Sequence, residues 1–212
     1  MKLLAVADIH GRESSIRKII KACDVSNPEL LVISGDITGW GSNEIIYERL
    51  NNLSIPVLAV HGNVDADDPA VLTPRYGNIR SLHLRKEIVA GMPFVGWGGG
   101  MGAPFVGRFL SGTKAYIETV AAMVQPETIL VTHVPPWGIL DSGFASFHGG
   151  AKTLRSLVES KQPRLLICGH IHEHRGVDRL GKTTVVNCSM GLRGSGAIIY
   201  LPRNGEAEID FL

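Results

Sequence analysis

The chain of 212 residues is 44% hydrophobic and 19% charged, a balance that excludes a disordered chain, which would be charge-rich and poor in apolar residues. Lys and Arg total 21 and Asp and Glu 20, so the net charge of +1 argues against a nonspecific polyanion binder, which usually carries a more basic balance. At roughly 150 residues per domain the length allows one large domain or two small ones; with no linker, repeat or low-complexity tract, one domain over residues 1–212 is expected.

The first apolar run, Leu3 to Ala7, stops at Asp8. It is too short for a signal peptide or a membrane helix, and no later run approaches the ~18 unbroken apolar residues such a helix needs. It reads as a strand. Leu30 to Ile33, Val57 to Val60, Ile129 to Thr132 and Leu165 to Cys168 are similar runs with little alternation. Strands buried on both faces of a largely parallel sheet look this way. Helical spacing lies between them: Ile16, Ile19, Ile20 and Cys23; Ile45, Ile46, Leu50 and Leu53; Tyr116, Ile117, Val120, Ala121 and Val124; Leu154, Leu157 and Val158. Each stripe is expected to face the core. Alternating strands and helices argue an α/β fold.

Residues 66–112 hold four prolines and the Gly96–Gly102 cluster, and loops with two or three strands are expected there. The last forty residues read as strands Arg175–Leu180, Thr183–Val186, Ala197–Leu201 and Ala207–Phe211, with hairpin turns at Gly181-Lys182 and Asn204-Gly205. An antiparallel section is therefore expected to succeed the βαβ-like part. Cys23, Cys168 and Cys188 are odd in number and show no CxxC spacing, which fits a reducing cytosol and an expected cytoplasmic location.

The residues just beyond each apolar run carry the chemistry. Asp8-Ile9-His10-Gly11 lies after the first, Gly35-Asp36 after the second, and His61-Gly62-Asn63-Val64-Asp65 after the third. His133 lies after the fourth and Gly169-His170-Ile171-His172 after the fifth. If the strands are parallel, these ends converge on one edge, where ligand crevices of open α/β sheets lie. Two Asp, four His and one Asn suit Mn, Fe, Zn, Ni or Co rather than Ca or a thiolate zinc site. Seven ligands exceed what one such ion takes. Two ions sharing a carboxylate would use them all, the arrangement that suits phosphoester hydrolysis.

The series D-x-H, G-D, G-N-x-D, a lone His after a strand and G-H-x-H resembles the calcineurin-like metallophosphoesterases. Its motifs run here from residue 8 to residue 172 in family order. The resemblance implies a four-layer αββα sandwich of two mixed β-sheets flanked by helices. It implies one ion held by Asp8, His10, Asp36 and His172, and a second held by Asp36, Asn63, His133 and His170, with Asp36 bridging. Two divalent ions are thus the expected cofactors, manganese first among them. The implied activity is phosphoester hydrolysis by a metal-bridging hydroxide, with Asp36 and Asn63 at the reacting centre. A small-molecule phosphoester, more readily a diester than a monoester, is the expected substrate.

The family motif usually carries His where this chain has Val64. That His is thought to steady the transition state or protonate the leaving group, and general acid catalysis is worth ~10²–10⁴-fold. Members with another residue there remain active, so the departure bears on efficiency and substrate rather than on metal binding. His148, in a segment from His133 through Asp141 that resembles a subgroup of small predicted phosphoesterases, is the favoured substitute, with His61 the other candidate. Arg12 could face a phosphate oxygen at the start of its helix.

Two other readings remain open. A nuclease would need a basic groove, to which Arg75, Arg80, Arg85 and Lys86 could contribute. A non-catalytic metal-bound scaffold would follow from the loss of the motif His. His83 and His174 read as structural histidines, and Asp65 as a cap of the turn or helix that comes after it. Gly98 to Ala103 matches a loose GxGxxA, but Pro104 comes where a dinucleotide fingerprint needs a helix, so it reads as a loop. Trp97, Phe105 and Trp137 are divided between a substrate pocket and the core.

Overall fold

The apolar runs form strands, but they divide between two sheets. The computed structural model describes residues 1–39, 44–65, 75–100, 113–143, 148–191 and 194–212. The first sheet holds β1 (Lys2–Val6), β2 (Leu30–Ser34), β3 (Val57–Val60), β4 (Ile79–Ser81), β11 (Ala197–Tyr200) and β12 (Glu208–Phe211), in the order β12-β11-β1-β2-β3-β4. The second holds β5 (Lys86–Val89), β6 (Met92–Trp97), β7 (Ile129–Thr132), β8 (Leu165–Cys168), β9 (Gly176–Leu180) and β10 (Thr183–Asn187), in the order β5-β6-β7-β8-β10-β9. β1 to β4 run parallel, as do β6, β7, β8 and β10. The antiparallel pairings lie toward the edges, at β1 with β11, β11 with β12, β5 with β6 and β9 with β10.

The unbroken apolar character of the central strands has a direct cause, since each strand is buried on both faces. Leu3, Ala5, Leu30, Val32, Leu58 and Val60 point between the sheets and meet Phe94, Ile129, Val131, Leu165, Ile167 and Val186. The alternate residues Leu4, Val6, Leu31, Ile33, Val57 and Ala59 face Ile16 and Ile19 of α1 (Glu13–Ser26) and Ile46, Tyr47 and Leu50 of α2 (Glu44–Asn51). On the far side Val95, Leu130, Leu166 and Val185 meet Val120 of α3 (Thr113–Met123) and Leu154, Leu157 and Val158 of α4 (Lys152–Lys161). The result is helix, sheet, sheet, helix, as the sequence reading expects. Each such aliphatic side chain taken fully from water contributes about 1.5–3 kcal/mol.

Three expectations need correction. Ile45 is 61% exposed, because α2 turns Ile46, Tyr47 and Leu50 inward and leaves its neighbour outside. Tyr116 is also exposed, and its ring packs edge-on against His83 instead of entering the core. The C-terminal section is not one antiparallel unit. β9 and β10 join the second sheet, whereas β11 crosses back to β1 and carries β12 with it. Among the described residues of the span 66–112 the structure holds the three strands β4, β5 and β6. No helix among the described residues is long and apolar enough to cross a membrane.

Candidate metal centre

Parallel pairing brings the C-terminal ends of the strands in each sheet to one edge, and the sheets stack with those edges together. The Ser34 hydroxyl at the end of β2 donates to the carbonyl of Ile167 in β8 at 3.3 Å. His133 Nδ1 after β7 donates to the carbonyl of Ser34 at 2.8 Å. The amide of His170 after β8 donates to Asp8 Oδ2 at 3.1 Å. These bonds cross between sheets and draw the five strand ends into one bowl.

Asp8, Asp36 and His133 form the floor and are buried. His10, Asn63, His170 and His172 form the wall and reach solvent. Asp36 faces both halves of the bowl. Its Oδ1 lies 3.4 Å from His133 Nε2, and its Oδ2 lies 3.9 Å from His10 Nε2. Asn63 Oδ1 is 2.8 Å from His133 Nε2, and the His133 and His170 ring centroids are 5.0 Å apart. On the other side His172 Nε2 lies 3.4 Å from Asp8 Oδ1 and 3.2 Å from His10 Nε2. The structure therefore brings together all seven residues singled out in the sequence.

The donor set fits a cation. Two groups, Asp8 with His10 and His172, and Asp8 with Asp36 and His133, each keep their ligand atoms within 4.8 Å of one another. Because His133 Nδ1 donates to Ser34, its Nε2 presents a lone pair to Asn63 Oδ1 and Asp36 Oδ1. Acceptors that close need a proton or a cation among them. Without an ion the charges rearrange around protons. Burial works against the charge of Asp8, yet the His172 hydrogen bond and the nearby His133 and His172 hold its carboxyl down at about 2. Burial pushes Asp36 up, and the charges of Asp8 and Asp65 add to the effect against the pull of His133. Burial and the charge of His133 bring His170 down to about 3, which keeps it neutral and able to ligate.

The backbone is bent to serve this set. Asp8, His10, Asp36 and His170 all sit at positive φ, between 51° and 71°. Such residues cost about 1–3 kcal/mol each and persist where the surroundings over-determine them. Two glycines make the close approach possible. A methyl at Gly62 would fall 1.9 Å from Asp36 Oδ1, and one at Gly35, itself at φ +85°, would fall 2.6 Å from His133 Nδ1. Asp65 pins the two loops together. It accepts from the amides of Gly62 (2.7 Å), Thr38 (2.8 Å) and Ile37 (3.2 Å), and from the Thr38 hydroxyl (3.0 Å). These bonds reach back to Gly62 and across to Ile37 and Thr38, whereas the turn or helix after Asp65 that the sequence reading expects it to cap falls at residues 66–74, outside the described residues.

The residues around the bowl divide clearly. Arg12 is turned inward: its Nη2 donates to the carbonyls of Asp8 and Gly191, and its Nε to Ser15 Oγ at 3.3 Å. These bonds make Arg12 a buttress of the Asp8 turn. Val64 supplies no side-chain group, but its amide donates to Asp36 Oδ1 at 3.1 Å. His148 Nδ1 bonds Asp141 Oδ1 at 2.8 Å, and its ring lies 5.0 Å from that of Trp137. His83 Nδ1 accepts the amide of Gly98, and His174 Nδ1 that of Ser142, so both hold loops in place. His61 packs 4.5 Å from His83. Trp97 is buried in the core, Trp137 is half-buried at the surface, and Phe105 and residues 101–103 lie outside the described residues. Of the basic cluster, Arg75 pairs with Glu44 at 2.7 Å and Arg80 with Glu87 at 3.7 Å, which offsets much of its charge.

Sequence reasoning missed the end of β10 and the loop after it. Ser189 hydrogen-bonds Asp8, and Asn187 Nδ2 holds the carbonyl of Ile171 at 2.9 Å. The available signal was the one that marked the ligands, since Asn187 and Ser189 come right after the apolar run Thr183–Val186.

The model of the calcineurin-like phosphoesterase family matches residues 1–174, a span that contains all seven residues of the bowl. An uncharacterized protein of Methanocaldococcus jannaschii is 31% identical over 200 residues, covering 89% of this chain and 88% of its own. Phosphodiesterase YfcE of Escherichia coli is 32% identical over 76 residues, 32% of this chain and 41% of that protein. Among solved structures, a protein of Thermus thermophilus shares the fold with a TM-score of 0.72 at 16% identity, covering 99% of this chain and 98% of its own.

Proposed function

Because the chain belongs to the calcineurin-like phosphoesterase family, we propose that it hydrolyses small-molecule phosphodiesters at a centre of two divalent cations. One observation carries the reading: the two carboxylate oxygens of Asp36 face separate sets of imidazole ligands. Asp8, His10, Asp36 and His172 would hold one ion, and Asp36, Asn63, His133 and His170 the other. When bound, such a pair polarises the phosphoryl oxygens and makes a water nucleophilic near neutral pH.

The chain's own groups do the positioning. Ser34 fixes the tautomer of His133 by accepting from Nδ1, which leaves Nε2 as a ligand. The His170 amide orients the Asp8 carboxylate, and the Val64 amide does the same for Asp36. Asp36 and Asn63 sit at the point where a phosphoryl group would bridge the two halves of the bowl. His10 and His172 line the solvent side, so a small substrate enters without passing through the core.

The diester preference rests on Val64, which removes a side chain that would protonate a leaving group, and on the likeness to a protein named a phosphodiesterase. Manganese is the metal of choice for the test, and the cytoplasm the compartment in which three free thiols are compatible with the fold.

The test is hydrolysis of bis-p-nitrophenyl phosphate by Mn²⁺-loaded protein of verified metal content, beside Asp36→Asn. Turnover in the wild type and loss of at least ~10²-fold in the variant are expected. Wild-type protein with two ions bound and no turnover on any diester would remove the diester reading, and no turnover on monoesters either would remove the enzyme.

A further inference from the structure

We propose that Asp141 and His148 form a proton-donating dyad for the leaving group, which does the work that Val64 cannot. The inference rests on the phosphoester reading and adds to it a donor outside the metal ligands.

The geometry comes from the loop between β7 and α4. Asp141 is 2% exposed, and both of its oxygens are engaged. Oδ1 accepts from His148 Nδ1 at 2.8 Å, and Oδ2 accepts from the amide of Gly150 at 3.2 Å. The amide of Gly149 donates to the Asp141 carbonyl at 2.9 Å, so the turn 148–150 is wrapped around this one aspartate. A buried aspartate with three bonds into one turn fixes which nitrogen of His148 carries its hydrogen bond. Nδ1 keeps its proton toward Asp141, and Nε2 is left to act. The Trp137 ring lies 5.0 Å from the imidazole and limits its rotation.

The dyad stands at the rim of the metal bowl. A methyl on Gly149 would lie 3.7 Å from His170 Nε2, and His148 is the preceding residue. Adjacent α-carbons are about 3.8 Å apart, so the His148 α-carbon lies within about 9 Å of His170 Nε2, and its own side chain is 44% exposed. A substrate that extends from the ions over the rim would come within reach of it, and the exposed ring can exchange protons with water. A buried Asp orienting a half-exposed His is the arrangement that holds an imidazole ready to pass a proton.

Atoms and charges balance in this step. A water oxygen forms a bond to phosphorus and its surplus proton goes to bulk water. The bond from phosphorus to the leaving oxygen breaks, its electron pair stays on that oxygen, and the oxygen takes the Nε2 proton of a His148 protonated on both nitrogens, which leaves the neutral Nδ1–H tautomer. His148 regains a proton from solvent, with Asp141 holding Nδ1–H throughout. His148 is the catalytic residue, and Asp141 is a positioning residue.

The test compares phosphodiesters with leaving groups of graded basicity, on metal-loaded wild type, His148→Ala, His148→Gln, Asp141→Asn and the double variant. A proton donor matters most for a basic leaving group. The expected result is that His148→Ala and His148→Gln slow alkyl leaving groups at least ~10-fold more than p-nitrophenol, and that Asp141→Asn changes in the same sense. The double variant should lose little beyond the worse single one, as coupled residues do. An independent readout is the tautomer of His148 by ¹⁵N NMR in metal-free protein, expected as Nδ1–H in the wild type and shifted in Asp141→Asn. Equal slowing of all leaving groups, or none, in a wild type that is active would overturn the dyad alone. A wild type inert toward every phosphoester would overturn the dyad together with the reading beneath it.

Discussion

Gly62 stands directly against Asp36: a single methyl at position 62 would fall 1.9 Å from Oδ1 of Asp36 and 2.3 Å from its amide nitrogen. The glycine thus leaves room for the carboxylate to turn toward His133. Gly62→Ala is expected to displace Asp36 and weaken metal binding ~10–100-fold, the range seen when groups that orient a ligand are changed. Metal titration by calorimetry checks this. Unchanged affinity would mean that the carboxylate has freedom the packing denies it.

Asp65 is expected to matter for stability rather than for the reaction. Asp65→Ala leaves the amides of Ile37, Thr38 and Gly62 without their acceptor in a buried setting. At about 1–3 kcal/mol per stranded donor, a loss of about 3 kcal/mol or more is expected. Urea unfolding of metal-free protein isolates this term from metal affinity. Asp65→Asn, which keeps one carbonyl oxygen, should lose less.

Arg12 ties the Asp8 turn to the loop after β10 through two carbonyls. Arg12→Ala should cost about 1–3 kcal/mol, because both acceptors lose a charged donor. Arg12→Lys should recover only part of this, since the guanidinium bonds both carbonyls through Nη2 while its Nε also donates to Ser15 Oγ, and an ammonium has no second nitrogen for that bond. If Arg12→Lys folds with wild-type stability and binds inorganic phosphate less well, the phosphate role read from the sequence would be supported.

The thiols should be inert in the native protein. Burial pushes Cys23 up to about 11, with Asp24 adding to it, and burial raises Cys168 and Cys188 further. The thiolate is the reactive form. A pKa raised to about 11 leaves about one thiolate in a thousand at pH 8, and the fraction grows only as pH rises. Iodoacetamide at pH 8 should therefore leave intact protein almost unlabelled, and mass spectrometry should find three adducts after unfolding in urea. Rapid labelling of Cys168 in native protein would contradict its burial in the core.

Much of the site was legible because ligand chemistry and strand chemistry adjoin in the chain. An apolar run that ends in Asp, His or Asn marks a strand leading to a polar edge, and five such ends in order were readable without coordinates. The division of those strands between two sheets was not readable, because burial on both faces looks the same in either sheet. The return of β11 to β1 was hidden for a related reason, as Ala197–Tyr200 carries no mark of a partner nearly two hundred residues away. Exposure of Ile45 and Tyr116 depended on helix rotation, which a short apolar stripe fixes only to within a residue. Asp141 could be noticed beside His148 in the sequence, but its burial and double engagement belong to the folded loop.

The crossing of β11 also orders events on the ribosome. β1 is made long before β11, yet β11 is one of its two neighbours, and the amino group of Met1 bonds the carbonyl of Leu201. At ~5–20 residues per second, roughly 10–40 s separate the two strands in synthesis. Through that interval one edge of β1 stays open to pairing with other chains. His170 and His172, which complete the bowl begun by Asp8 and His10, are also late arrivals. A chain synthesised only as far as residue 169 therefore lacks two of the seven residues of the bowl. Protection of the first strand in the meantime falls to whatever shields nascent chains in the cell.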